Sequence, residues 1–184
     1  LGNDTRLVGT TAAPSGDPDD AEYNVKFRFR GGTADVITAG DYNYGVPFYH
    51  VSGSQVQTLY RPSETGLNGT VKLIGFRLKN NSVAETYQNF SIVVGHTSNA
   101  VLGSGSPFAS NMDSPMTVFS GTATIPAGLK AGDWVDISLT TTFAASAAKN
   151  LAVYVKSDMG TASNTNVVRG VGDATRYASQ SSYI

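Results

Sequence analysis

Two stretches decide the fold: Trp134-Val135-Asp136-Ile137-Ser138-Leu139 and, a short way downstream, Leu151-Ala152-Val153-Tyr154-Val155-Lys156. In the first, Val135, Ile137 and Leu139 alternate with Trp134, Asp136 and Ser138. In the second, Leu151, Val153 and Val155 fall on one face. Successive side chains of an extended chain point to opposite sides, so a period of two gathers the apolar set against a core. A helix would need apolar residues every three or four positions. Both stretches therefore read as β-strands.

The same reading extends outward in both directions. In residues 22–30, Tyr23, Val25, Phe27 and Phe29 alternate with Glu22, Asn24, Lys26, Arg28 and Arg30, and Gly31-Gly32 ends the run. Residues 70–79 place Ile74, Phe76 and Leu78 on one face and Arg77 and Lys79 on the other. Residues 90–96 do the same with Phe90, Ile92 and Val94. Residues 55–60 and 116–125 also read as strands, with Val36-Ile37, Val167-Val168 and residues 176–184 as shorter or closing ones. Turn chemistry separates them. Arg61-Pro62-Ser63-Glu64-Thr65-Gly66 reads as a turn or a single helical turn, Leu67-Asn68-Gly69 as a tight turn, and Asn80-Asn81-Ser82 and Pro126-Ala127-Gly128 as strand ends. Residues 98–115 form a long loop rich in Ser, Gly, Asn and Pro. Residues 144–148 are helix-compatible but too short to hold a helix alone.

Short strands with Gly, Asn and Pro turns, and no long helical segments between them, give an all-β chain. The expected architecture is a two-sheet antiparallel sandwich of jelly-roll-like topology. Residues 1–20, punctuated by Pro14, Gly16 and Pro18, read as an extended N-terminal arm, and residues 21–184 as a single β-sandwich domain.

Composition agrees. The chain has 184 residues, 40% of them hydrophobic, enough for a sizeable core without staples. Charged residues are only 15%. Ser (19), Thr (19) and Gly (20) supply the polar surface instead, and Asp (11) outnumbers Glu (3), a balance that suits strand faces and turns better than helix surfaces. The net charge of −1 argues against nucleic acid and against polybasic membrane attachment. No run reaches the ~20 apolar residues a membrane helix needs, and no leader-like segment is visible. Opening at Leu1 fits a processed mature protein or an excised domain. Without cysteine, thiol nucleophiles, thiolate metal sites and disulfides are excluded.

Catalytic patterns are sparse. His50 and His96 are the two histidines. His50 sits among aromatics, and His96 ends a strand before Thr97-Ser98, where a hydrogen-bonding side chain is common. No Gly-x-Ser-x-Gly elbow, His-Glu-x-x-His pair or phosphate loop occurs. Asp133 and Asp136 lie three apart, which in a strand puts them on opposite faces, and Glu64 and Glu85 read as turn residues. No catalytic residue is expected. No cofactor is expected either, apart from structural calcium, for which Asp17, Asp19 and Asp20 beside Glu22 form the densest hard-oxygen cluster. That cluster lacks the spacing of an EF-hand loop, and Lys26, Arg28 and Arg30 follow it closely.

The binding feature that stands out is aromatic. Tyr42, Tyr44, Phe48 and Tyr49 fall close together, and Trp134 is the sole tryptophan. Such rings can stack on sugars while neighbouring amides and carboxylates take the hydroxyls, or they can cap the sandwich core. We take Tyr42, Tyr44, Tyr49 and Trp134 as the candidate ligand-binding residues. Asn3, Asn68, Asn80 and Asn89 open Asn-x-Ser/Thr sequences, which matter for a eukaryotic secreted chain and arise by chance in a Ser/Thr-rich one.

The order Ser54-Gln55 … Leu59-Tyr60 … Ser63-Glu64 … Gly66 … Gly69 … Ile74-Gly75-Phe76, then Ile92-Val93-Val94-Gly95-His96-Thr97 and Val118-Phe119-Ser120-Gly121, continues through Trp134-Val135-Asp136-Ile137-Ser138-Leu139 and Phe143 to Asn150-Leu151 and Val155. It resembles a β-sandwich module of secreted surface proteins in Bacteroidetes-like bacteria. Such modules accompany adhesins, fibronectin-type repeats and type nine sorted enzymes, and related strings occur in phage tail and fibre proteins. The resemblance spans roughly residues 47–156 and rests on strand-core residues and turns. It implies a fold and an extracellular, cell-surface or virion setting, and brings no catalytic residue with it.

Three functions follow as expectations. The first is a non-catalytic extracellular module for adhesion or carbohydrate binding, with a glycan or surface protein as partner. The second is a structural subunit of a surface filament or virion, forming homo-oligomers by lending its N-terminal arm to a neighbour's sheet edge. The third is a hydrolase with an unrecognised site.

Overall fold

The computed structural model describes residues 6–8, 33–35, 48, 53–65, 67–78, 80–102, 108–158 and 177–180. Along these run β1 (Arg6–Val8), β2 (Thr33–Asp35), β3 (Ser54–Tyr60), a single helical turn (Pro62–Thr65), β4 (Gly69–Arg77), β5 (Glu85–Thr97), a 3-10 turn (Phe108–Asn111), β6 (Asp113–Ile125), β7 (Trp134–Ala145), β8 (Asn150–Ser157) and β9 (Tyr177–Gln180). The all-β reading holds. No helix among the described residues is long and apolar enough to cross a membrane.

Strands β6-β5-β8-β3-β9 form one antiparallel sheet in that order, and β4 pairs with β7 in a second. The order contains a rule: β5 pairs with β6, β4 with β7, and β3 with β8. These are three nested antiparallel pairs, one long hairpin rolled so that successive pairs fall in alternate sheets. That is jelly-roll winding, which in its full form has eight strands. Among the described residues three of the four nested pairs are present. Strand β1 pairs in parallel with β2 over three positions, Arg6 opposite Thr33 to Val8 opposite Asp35, and among the described residues the two form a sheet of their own.

The core lies between the sheets. Ile92 faces Val155, Val94 faces Val153, and Val56 faces Val155 from the other side. The small sheet answers with Ile74 opposite Ile137, Phe76 opposite Val135 and Val71 opposite Phe143. All are buried in one cluster. Aromatics anchor one end: Phe48 packs edge-on to Phe76 at 5.1 Å and stacks on Phe90 at 5.5 Å. The Tyr87 hydroxyl lies 2.5 Å from the Phe48 carbonyl and 2.7 Å from Glu85 Oε2.

Several boundaries differ from the alternation, each for a local reason. Strand β5 begins at Glu85, not near Phe90, because a bulge at Gln88 and Asn89 separates the inward Tyr87 and Phe90 by three positions. Asn89 takes φ 48°, the left-handed region asparagine tolerates, and its amide donates to Asp158 at 2.6 Å. Glu85 is therefore a buried strand residue, not a turn residue. Strand β6 starts at Asp113, three residues before Met116, since its first residues are exposed and show no alternation. Ala144 and Ala145 end β7 instead of starting a helix, and residues 146–149 turn into β8. The β7 ladder slips between Val71 and Leu73 of β4, whose partners are Phe143 and Ser138. The excursion this leaves in β7 leans on β6, where the Thr140 hydroxyl donates to the Val118 carbonyl at 3.1 Å.

The large sheet also buries part of its outer face. Leu59 and Ala152 pack there with Leu102 and Met112, which bracket the stretch between β5 and β6. Gly95 makes this possible: a Cβ at that position would lie 2.7 Å from Met112 Cβ. Asn111 donates to buried Gln57 at 2.8 Å, so an amide pair fixes the same strap. A strand with apolar residues on both sides is what a doubly covered sheet requires.

Candidate functional site

The small sheet turns one face inward and one to solvent. Because Ile74, Phe76, Val135 and Ile137 are buried, period two sends Gly75, Arg77, Trp134 and Asp136 outward. Arg77 is paired with Trp134 and Gly75 with Asp136. A Cβ on Gly75 would lie 3.2 Å from Trp134 Cε3 and 2.5 Å from Asp136 Oδ1. The missing side chain of Gly75 thus seats both the indole and the carboxylate against bare backbone. A cross-strand aromatic covering a strand glycine is a known device for pinning register.

The loops behind this face hold it rigid. Arg77 Nε donates to the Gly132 carbonyl at 3.1 Å, which draws the guanidinium along the β6–β7 loop. Leu78 N donates to the Asp133 carbonyl, and Gly132 N to the Leu78 carbonyl, each at 2.8 Å. The Asp133 carboxylate accepts from Lys130 N at 2.7 Å, and Asn81 Oδ1 accepts from Ala131 N at 3.1 Å. Buried Ser82 donates to the Pro126 carbonyl at 2.6 Å and accepts from Leu129 N at 2.9 Å. Asp133 is therefore a turn-closing carboxylate just before β7, and Asp136 an exposed one on the strand. The outcome is a half-exposed indole flanked by a carboxylate and a guanidinium on a fixed frame.

At the opposite end of the sandwich stands His96. Its Nε2 accepts a hydrogen bond from Ser146 N at 3.1 Å, and its ring lies 4.9 Å from that of Phe143. Burial, reinforced by the Lys149 charge and opposed by Asp113, holds the imidazole below its usual range. Asp113 is its ladder partner on β6. The ring is a structural acceptor here, as expected of a strand-end histidine. Burial also pushes the Tyr154 phenol upward, and its hydroxyl donates to Gln55 Oε1 at 2.8 Å on the outer face of the large sheet.

Of the candidate ligand residues, the structure places Trp134. Tyr42, Tyr44 and Tyr49, the calcium candidates Asp17, Asp19 and Asp20, and His50 lie outside the described residues. Among the described residues, no group of three or more His, Asp or Glu side chains is placed to hold a metal. Phe48 proves to be a core residue. Of the Asn-x-Ser/Thr asparagines, Asn68 and Asn89 are exposed and Asn80 half-buried. Gly75 and Arg77 are the partners of Trp134 that sequence reasoning missed. The signal was a glycine interrupting an otherwise regular strand, Ile74-Gly75-Phe76.

Comparison with protein-family models, with curated proteins and with solved structures finds no match to this chain.

Proposed function

We propose that this chain is a non-catalytic binding module of an extracellular or cell-surface protein, and that it holds carbohydrate on the outer face of β4 and β7. One observation carries the reading: the Trp134 indole is seated over Gly75 on a solvent-facing strand, between Asp136 and Arg77. An indole face takes the apolar face of a pyranose, while a carboxylate and a guanidinium take its hydroxyls. The hydroxyl-rich, nearly neutral composition supports the same reading, because recognition without a charged field depends on stacking and hydrogen bonds. The resemblance to secreted surface modules adds the setting.

The test is a glycan array probed with the wild-type chain and with Trp134→Ala. Saturable binding to at least one glycan, abolished in the variant while its thermal unfolding stays cooperative, is the expected result. An array with no binder, or a variant that binds as well as wild type, defeats the reading.

A second reading, a structural subunit of a filament or virion, draws on the N-terminal segment. Among the described residues the pairing of β1 with β2 covers three positions and is separate from both larger sheets, and so short a two-stranded pair is marginal alone. On this reading the segment pairs with a neighbouring copy. Deleting residues 1–20 then abolishes polymers seen by electron microscopy, whereas unchanged polymers, or a monomer throughout, rule it out.

A further inference from the structure

The turn between β7 and β8 is organised on one residue. Ser146 O accepts from Lys149 N at 3.4 Å, and Ser146 Oγ accepts from Ala148 N at 3.3 Å. Its remaining backbone group, the N–H, donates to His96 Nε2 across the sandwich. One imidazole nitrogen therefore ties the whole turn to β5. An N–H can donate only to an unprotonated nitrogen, so the ring must be neutral with its proton on Nδ1.

We propose that His96 is a proton-operated latch: the neutral ring holds the β7–β8 turn closed through Ser146, and protonation releases it. When Nε2 gains a proton, two donors face each other and the hydrogen bond is lost. The charges around the ring are set against the imidazolium on balance. Lys149, on the turn itself, opposes it, and Asp113, opposite on β6, favours it. From β7 comes the uncharged Phe143 ring, and from β8 the uncharged Leu151, the ladder partner of His96. Burial and the Lys149 charge together outweigh Asp113, so release falls on the acid side of the ordinary histidine range.

The opening is local. Strand β8 remains paired with β5 and β3, and Asn150 Nδ2 still donates to the Asn99 carbonyl at 2.8 Å. Acidification would thus loosen one end of the sandwich and leave the Trp134 face, at the other end, as it was.

Amide hydrogen exchange followed by NMR between pH 7.5 and pH 5 tests this. After correction for intrinsic exchange, Ser146 N–H protection should fall roughly tenfold, the loss of one hydrogen bond, while Val94 N–H keeps its protection. In His96→Gln, whose amide oxygen accepts without titrating, Ser146 protection should not change with pH. Nitrogen shifts of the wild-type ring give a measurement that needs no variant: at pH 7.5 they should report the Nδ1–H tautomer. Ser146 protection that ignores pH in the wild type, an equal loss in His96→Gln, or an Nε2–H ring at pH 7.5 would each overturn the latch.

Discussion

Gly95→Ala is the sharpest probe of the strap over the large sheet. The added Cβ would lie 2.7 Å from Met112 Cβ and 3.1 Å from both its Cγ and its Sδ. A long flexible tip could swing clear, but Met112 Cβ is fixed to its backbone, so the strap itself must lift. Overpacking of this kind costs about 1–3 kcal/mol. Replacing a strand glycine returns about 0.5–1 kcal/mol of backbone entropy. The net is a loss of up to about 2.5 kcal/mol, read as a lower urea midpoint at constant m-value. Met112→Ala alone should cost about 2–5 kcal/mol through the emptied site beside Leu59, Leu102 and Ala152. The double variant decides the matter. Met112→Ala keeps the Cβ that the new methyl meets, so the clash persists in the double variant and the two losses should be close to additive. A double variant about as stable as Met112→Ala, or a Gly95→Ala chain more stable than wild type, would refute the account of how the strap docks.

Gly75→Ala should leave stability within about 1 kcal/mol, since Asp136 is exposed and can swing away. It should still displace the indole, and the emission of the sole tryptophan reports that movement directly. Ser82→Ala removes one hydroxyl that serves both the Pro126 carbonyl and Leu129 N, and should cost about 1–3 kcal/mol by thermal or urea unfolding. The His96 ring, held below its ordinary range, makes the fold most stable above the unfolded-state value of 6.5. Stability should therefore decline as pH falls below that value and level off beneath the folded-state value. In His96→Gln the decline over that window should be shallower.

The sheets were legible wherever alternation was unbroken. Val135, Ile137 and Leu139, and Leu151, Val153 and Val155, stand on the faces their spacing assigns. Period two failed where the backbone departs from it. Gln88 and Asn89 together oppose Thr122, one residue more than the ladder needs, so the inward set jumps from Tyr87 to Phe90 and the first third of β5 was invisible. Leu139 to Thr142 form an excursion that no one-dimensional pattern marks. The site was half legible. A lone tryptophan at a strand start announced itself, but Gly75 and Arg77 enter only through the register of a strand nearly sixty residues earlier. Gly95 and Gly75 look alike in sequence, Val94-Gly95-His96 and Ile74-Gly75-Phe76. One admits a strap and the other seats an indole, and only tertiary contact tells them apart.

The width of the small sheet, as the described residues form it, shapes what the proposed site can do. Among the described residues the small sheet has two strands, β4 and β7, and the outward face they form around Trp134 spans one inter-strand spacing of about 4.8 Å. That width carries one ring and two polar partners. Stacking on an aromatic ring adds about 0.5–1.5 kcal/mol beyond area burial, and each partner hydrogen bond about 0.5–1.5 kcal/mol net. Set against the cost of immobilising a ligand, such a face should bind a single sugar unit no tighter than about 1 mM to 10 μM. Useful attachment would then come from many copies on one surface, where effective concentration multiplies weak contacts. Titrating the free chain with a soluble monovalent glycan from the array, beside retention of bead-coupled chain on the same glycan displayed densely, separates the two regimes. Weak monovalent binding with strong retention is expected, and both should vanish in Trp134→Ala. Nanomolar monovalent binding would mean that the ligand is held by far more than the face of β4 and β7.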